Sequence, residues 1–136
     1  MPPSITQGVS NPLSVTVGQC DGSVYSGNVT VYIDYNQNGL FTDAGENVYT
    51  SATSPGSHIE TGSITIPATA MTGLTRMRIV TSYNTVPSSI NPCGTYSYGE
   101  TEDYYINIAP VPTCPQPTAL SLTTATTTTA DIDWTA

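Results

Sequence analysis

Apolar residues alternate with polar ones over short stretches, and Gly, Pro and Asn separate the stretches. Leu13, Val15 and Val17 fall on one parity, and that run ends at Gly18. Val29, Val31 and Ile33 alternate with Thr30 and Tyr32 after Gly27 and Asn28. Residues 47–51, 59–66, 74–83 and 104–108 also read as strands, with Pro67 and Pro110 as stops. In the longest of these, Leu74, Arg76, Arg78 and Val80 share one parity, and Met77, Ile79 and Thr81 take the other. A period of two sends successive side chains to opposite faces of a strand. The one helix-like stretch, residues 67–73, is short and holds Pro and Thr. Six or more strands with turn signals between them predict an all-β fold: an antiparallel β-sandwich of jelly-roll or Ig-like kind.

Residues 1–109 are expected to form this domain and residues 110–113 a proline-rich linker. Beyond it the character changes. Leu120, Leu122 and a Thr-rich run precede Ile132 and Trp134. Such a tail, with two strands and no more, cannot bury its own apolar face and is expected to be flexible or docked elsewhere.

Composition narrows the classes of function. Lys and Arg total 2 against 10 Asp and Glu, giving a formal net charge of −8. Phosphate neutralisation needs clustered cations, so nucleic-acid binding is excluded. No run approaches the roughly 18 apolar residues of a membrane-spanning helix, so no membrane insertion is expected. Only 9% of residues are charged, and the polar surface must come from Thr, Ser, Asn and Gly. That mix suits a secreted or cell-surface β protein. Met1-Pro2-Pro3-Ser4 is not a signal peptide, so the chain reads as a piece of a longer secreted one. Three cysteines leave one without a partner. In an oxidising compartment the favoured disulfide is Cys20–Cys93, both within the main domain, although three pairings remain open.

The most informative stretch is residues 34–46. Asp34, Asn36, Asn38, Asp43 and Glu46 supply side-chain oxygens at loop positions 1, 3, 5, 10 and 13, with Gly39 at 6. Ca2+ takes six to eight hard oxygens, and a Gly at 6 permits the sharp turn around it. Leu40 would add its backbone carbonyl, and Asp43 or Glu46 would close the shell. The closing acid at 13 and the flanking strands distinguish the loop from an EF-hand. The competing reading is an Asn-Gly hairpin with solvated acids. A second acidic cluster, Glu100, Glu102 and Asp103, begins the last strand. The only cations, Arg76 and Arg78, also stand two apart on a strand, so the two strands are expected to pair with the arginines meeting Glu100 and Glu102. A catalytic carboxylate pair is disfavoured because such acids usually project from different elements. His58, the single histidine, has no nucleophile elbow near it. No catalytic residues are assigned. Tyr96 and Tyr98 lie in a Gly-rich loop and could stack on sugar rings.

The segment Gly99-Glu100-Thr101-Glu102-Asp103-Tyr104 resembles the signature of the GEVED domain, with Thr101 where the name-giving motif has Val. Residues 31–36, the series Asn38, Gly39, Phe41, Asp43, Gly45, Glu46, and the series Gly73, Thr75, Arg76, Met77, Arg78 are similar to that family in the same order. The likeness spans about residues 12–108, and the family's N-terminal part is abbreviated here. It implies a β-sandwich accessory module of secreted bacterial proteins, found beside peptidases, glycan-active enzymes, adhesins and fibronectin-like repeats, with no catalytic activity of its own. Residues 114–136 resemble the opening of a fibronectin type III domain, through Cys114-x-x-Pro117, Leu120-x-Leu122 and Trp134. The expected function is a non-catalytic, calcium-stabilised module for adhesion or spacing, whose partners are extracellular polysaccharide or neighbouring domains. The alternative is a carbohydrate-binding module that targets an appended enzyme to polysaccharide.

Overall fold

A computed structural model describes residues 1–19, 22–111 and 118–135. The protein is all-β, and the described residues contain no α-helix. The strands are β1 (Ser4–Thr6), β2 (Ser10–Val17), β3 (Ser26–Ile33), β4 (Asn47–Thr50), β5 (Ser54–Pro55), β6 (His58–Thr65), β7 (Gly73–Tyr83), β8 (Gly99–Ala109), β9 (Thr118–Ala125) and β10 (Ala130–Thr135). The main sheet runs β1-β8-β7-β3-β4, with the short β5 on one end of β3. All its pairings are antiparallel except β1 with β8. β2 and β6 form a separate antiparallel ribbon.

β3 is central, and every residue from Gly27 to Ile33 is buried. Its alternation divides the core in two. Val29, Val31 and Ile33 pack with Val17 and Ile64 of the ribbon and with Ile106 and Ile108 of β8. Tyr32, on the other face, packs with Val80, Phe41 and Ile90. The ribbon alternates, with Leu13, Val15 and Val17 turned toward the first cluster. Fully burying a side chain such as Ile33 contributes about 1.5–3 kcal/mol relative to exposure.

All six expected strands are present. β1 and β5, three and two residues long, are too short to carry a period. The helix-like stretch 67–73 holds no helix: residues 67–72 form a turn and loop and Gly73 opens β7; Pro67 O accepts the Ala70 N–H at 3.1 Å, and Gln7 Nε2 donates to Ala70 O at 2.6 Å. The expected Cys20–Cys93 disulfide is not borne out at Cys93, which is an exposed free thiol; Cys20 and Cys114 lie outside the described residues. In the tail, β9 and β10 pair as an antiparallel hairpin. Leu120, Leu122, Ile132 and Trp134 are all exposed on it.

Candidate functional site

The acidic loop leaves the sheet at the end of β3 and is tied at its neck. Ile33 N–H donates to Glu46 O at 2.9 Å and Asp34 N–H to Arg76 O at 3.1 Å. Thr75 Oγ1 donates to Asp34 O at 2.5 Å. Within the loop, short polar side chains cap nearby backbone donors, the reason Asn and Asp favour turns. Asn36 Oδ1 accepts from Asn38 N–H at 3.1 Å, and Asn38 Oδ1 from Leu40 N–H at 2.8 Å. Asp34 Oδ1 and Oδ2 accept from Asn38 and Gly39 N–H at 3.1 and 2.9 Å. Gly39 has φ +88°, and a Cβ there would meet Arg76 Nη2 at 3.2 Å.

Two carboxylates are thereby taken out of water. Asp34 is 3% exposed and Glu46 is 2% exposed. Glu46 Oε1 accepts from Tyr35 N–H at 3.0 Å and Oε2 from Asp43 N–H at 3.3 Å. Burial pushes the Glu46 carboxyl above its ordinary range; the two backbone donors oppose that shift, and the charges of Asp34 and Asp43 add to it. Asp43 faces solvent and is lowered by the Asn36 and Asn38 amides, which donate to its Oδ2 at 2.8 and 2.7 Å. The Tyr35 hydroxyl is buried with no hydrogen-bond partner among the described residues. Burial and the nearby Glu46 charge push it up to about 12. A cavity of about 210 Å³ adjoins Tyr35, Asp43, Glu46 and Met71.

The oxygen donors of the loop are mixed: carboxylates, amides and carbonyls. Among the described residues no three Asp, Glu, His or Cys side chains converge in metal-holding geometry. Asp34 and Glu46 are held by loop backbone N–H groups, while the exposed Asp43 is held across the loop by the Asn36 and Asn38 amides. Each carboxylate oxygen engaged by one N–H keeps a further lone pair for a cation.

Phe41 anchors the loop to the sheet. It is 3% exposed and lies in the second core cluster. The Arg78 and Arg76 guanidinium carbons stand 4.8 and 5.6 Å from its ring centroid, a cation–π arrangement. Arg76 Nη2 also donates to Gly39 O at 2.8 Å. Arg78 grips Asp103 through two 2.6 Å bonds and donates to Pro92 O at 2.9 Å.

This corrects the expected ion pairs. β7 and β8 do pair, but Arg78 stands opposite Asp103, Ile79 opposite Glu102 and Thr81 opposite Glu100. Directly opposed residues share a face, so Arg76 and Arg78 meet the Asp103 side of the strand and not Glu100 or Glu102. Glu102 instead accepts from the Tyr104 hydroxyl. Asp103 is held below the usual carboxylate range chiefly by its hydrogen bonds to Arg78. Sequence reasoning named Phe41, Thr75, Tyr35 and Asp103 but gave them no role at the site; the signal was the single Phe placed inside the acidic loop of a chain with two cations.

Tyr96 and Tyr98 play different parts. The Tyr96 hydroxyl accepts from Asn91 N–H at 2.5 Å and donates to Asn91 O at 2.6 Å, and its ring packs on the second core cluster. Tyr98 is 70% exposed. His58 starts β6 and bonds Gly56 O at 2.7 Å and Glu60 Oε1 at 3.0 Å.

Fold and site together define a class: a small all-β module whose central strand feeds an acidic turn-rich loop clamped by sheet arginines. The chain belongs to the GEVED domain family, whose profile matches residues 28–107. That span begins in β3 and ends in β8, so it contains both the loop and the arginine strand. No curated protein and no solved structure matches the chain.

Proposed function

We propose that the chain is a non-catalytic, calcium-stabilised β-sandwich module of a secreted or cell-surface multidomain protein, serving adhesion or spacing between neighbouring domains. The observation that carries this reading is the buried pair Asp34 and Glu46. Two like charges at 3% and 2% exposure have no Arg, Lys or His within 4 Å among the described residues. Removing a carboxylate from water costs several kcal/mol unless a partner repays it. Ca2+ takes hard oxygen ligands such as the carboxylates, amides and carbonyls of this loop. Asp34, Asn36, Asn38, the Leu40 carbonyl, Asp43 and Glu46 would hold it, and its chemistry would be charge neutralisation alone. Two neutral amide ligands suggest a Kd of about 10⁻⁴ to 10⁻⁶ M.

Packing of the β2–β6 ribbon over the main sheet supports the sandwich. The exposed Leu120, Leu122, Ile132 and Trp134 of β9 and β10 support reading that hairpin as the opening of a fibronectin type III-like segment. Calorimetric titration of EDTA-stripped protein with CaCl2 and MgCl2 tests the proposal. One saturable calcium site is expected. Absence of heat and of any thermal shift at millimolar calcium overturns it.

A further inference from the structure

At the end of β3 remote from the acidic loop, a cleft of about 590 Å³ opens between β2 and the start of β8. Tyr25, Tyr83 and Tyr98 line it with Thr16, Gln19 and Glu100. The rings are set in place by the fold. A Cβ on Gly27 would stand 2.8 Å from the Tyr83 ring, so the missing side chain makes room for that ring over β3. The Tyr83 hydroxyl donates to Gly18 O at 2.9 Å, and its N–H to Tyr98 O at 3.1 Å. Tyr25 meets Tyr83 edge to face at 6.3 Å and 64°. The Gln19 amide brackets the Tyr25 backbone, donating to its O at 2.8 Å and accepting from its N–H at 3.3 Å. Tyr98 remains largely in solvent although its neighbours are fixed.

We propose that this cleft binds a neutral oligosaccharide. A pyranose ring offers an apolar C–H face for a tyrosine, and adjacent hydroxyls that a carboxylate such as Glu100 accepts in pairs. No cation is among the described residues that line the cleft, and a net charge of −8 turns anionic ligands away. A quaternary ammonium group also favours rings beside an acid, but it needs them closed around one small group. The volume here falls in the range of about 300–1,000 Å³ typical of pockets for larger ligands. The arrangement pre-orders aromatic contact area before binding, which lowers the entropy lost on association. The cleft and the loop sit at opposite ends of β3, so this proposal goes beyond the calcium reading and does not rest on it.

The test titrates the full chain with the trisaccharides of cellulose, xylan, mannan, starch and chitin, and separately with choline, followed by calorimetry and amide chemical shifts. At least one trisaccharide is expected to bind saturably. Tyr98→Ala and Glu100→Gln are each expected to weaken it about tenfold, the scale of one lost aromatic or charge-assisted contact. Tyr105→Ala, on the opposite face of β8, leaves it unchanged, and EDTA leaves it in place below the unfolding temperature. Circular dichroism verifies that each variant is folded. Choline binding with no trisaccharide binding, no binding at all, or binding indifferent to both Tyr98→Ala and Glu100→Gln overturns the proposal. Loss of the calcium response with saccharide binding intact would sink only the earlier reading.

Discussion

Replacing Glu46 by Gln is expected to invert the stability order of variant and native protein between EDTA and calcium. Gln keeps one oxygen for the Tyr35 N–H, now 3.0 Å from Oε1, and turns an NH2 toward the Asp43 N–H, now 3.3 Å from Oε2. Leaving that donor without its acceptor costs about 1–3 kcal/mol. Against this, the variant no longer buries a charge near Asp34 and Asp43. The raised Glu46 carboxyl means that burial and repulsion outweigh the two hydrogen bonds for the charged form, and relief of that penalty offsets the lost acceptor when no cation is present. In EDTA the Tm of Glu46→Gln is therefore expected to equal or exceed that of the native chain. Calcium at about 100 times its Kd adds about 2.7 kcal/mol to the native chain. At roughly 4–8 °C per kcal/mol for a domain of this size, Tm rises by about 10–20 °C. A variant whose Kd is about 100-fold weaker gains only about 0.4 kcal/mol under the same conditions, a shift of a few degrees. Thermal unfolding followed by circular dichroism in excess EDTA and in saturating calcium reads all four values. A native Tm that ignores calcium, or a Gln variant that responds as strongly as the native chain, refutes the reasoning.

Phe41→Ala should cost about 3–5 kcal/mol in urea unfolding, as expected for a buried aromatic, and should remove the calcium response by freeing the loop from the two arginines; retention of that response would mean the loop folds without its anchor. Gly99→Ala should cost more than about 2 kcal/mol, because Gly99 has φ +155° and a Cβ there would lie 2.2 Å from Thr81 O. Gly18→Ala, with open space around the new methyl, should stay within about 0.5 kcal/mol. Asp103 has its carboxyl lowered in the folded state, so its contribution is present above the unfolded value of 3.8 and is lost as pH falls through the folded value. Urea midpoints across the acid limb should therefore flatten in Asp103→Asn. The effect should be about 1 kcal/mol or less, since the carboxylate is 42% exposed; an unchanged acid limb would show that the pair contributes nothing.

The strands were legible because β-branched residues at period two leave few alternatives. Val29, Val31 and Ile33 in β3, and Met77 and Ile79 in β7, fall on the core faces that their parity assigns. The loop was legible as a spacing of oxygens and a glycine, both local properties. Long-range register was not. The Arg–acid expectation chose the right strands and the wrong parity, because sequence shows which residues share a face within one strand but not which residue of the next strand stands opposite. One register step exchanges Asp103 for Glu102. The tyrosine cleft was half legible for the same reason. Tyr98 could be picked from its Gly-rich surroundings, whereas Tyr25 and Tyr83 join it only through the pairing of β3 with β7. Tyr96 also lines that cleft, but its hydroxyl closes a loop onto Asn91, a contact with no periodic signature.

The charge inventory connects composition to the site. A chain with no Lys and two Arg places both arginines beside its most acidic loop, yet neither neutralises that loop. Arg76 donates to a carbonyl, Arg78 is committed to Asp103, and their shared contact with Phe41 fixes where the loop lies. The backbone N–H groups of Tyr35, Asn38, Gly39 and Asp43 orient Asp34 and Glu46 but carry no net charge. Orientation is thus supplied from within the protein; a positive charge supplied from outside it would be a proton or, on the proposed reading, a metal ion. A proton would make the protein most stable in acid, where Asp103 loses its pairing with Arg78. The proposed divalent cation would meet the same need at neutral pH, where that ion pair is intact and the two ends of the loop stay tied to the same sheet.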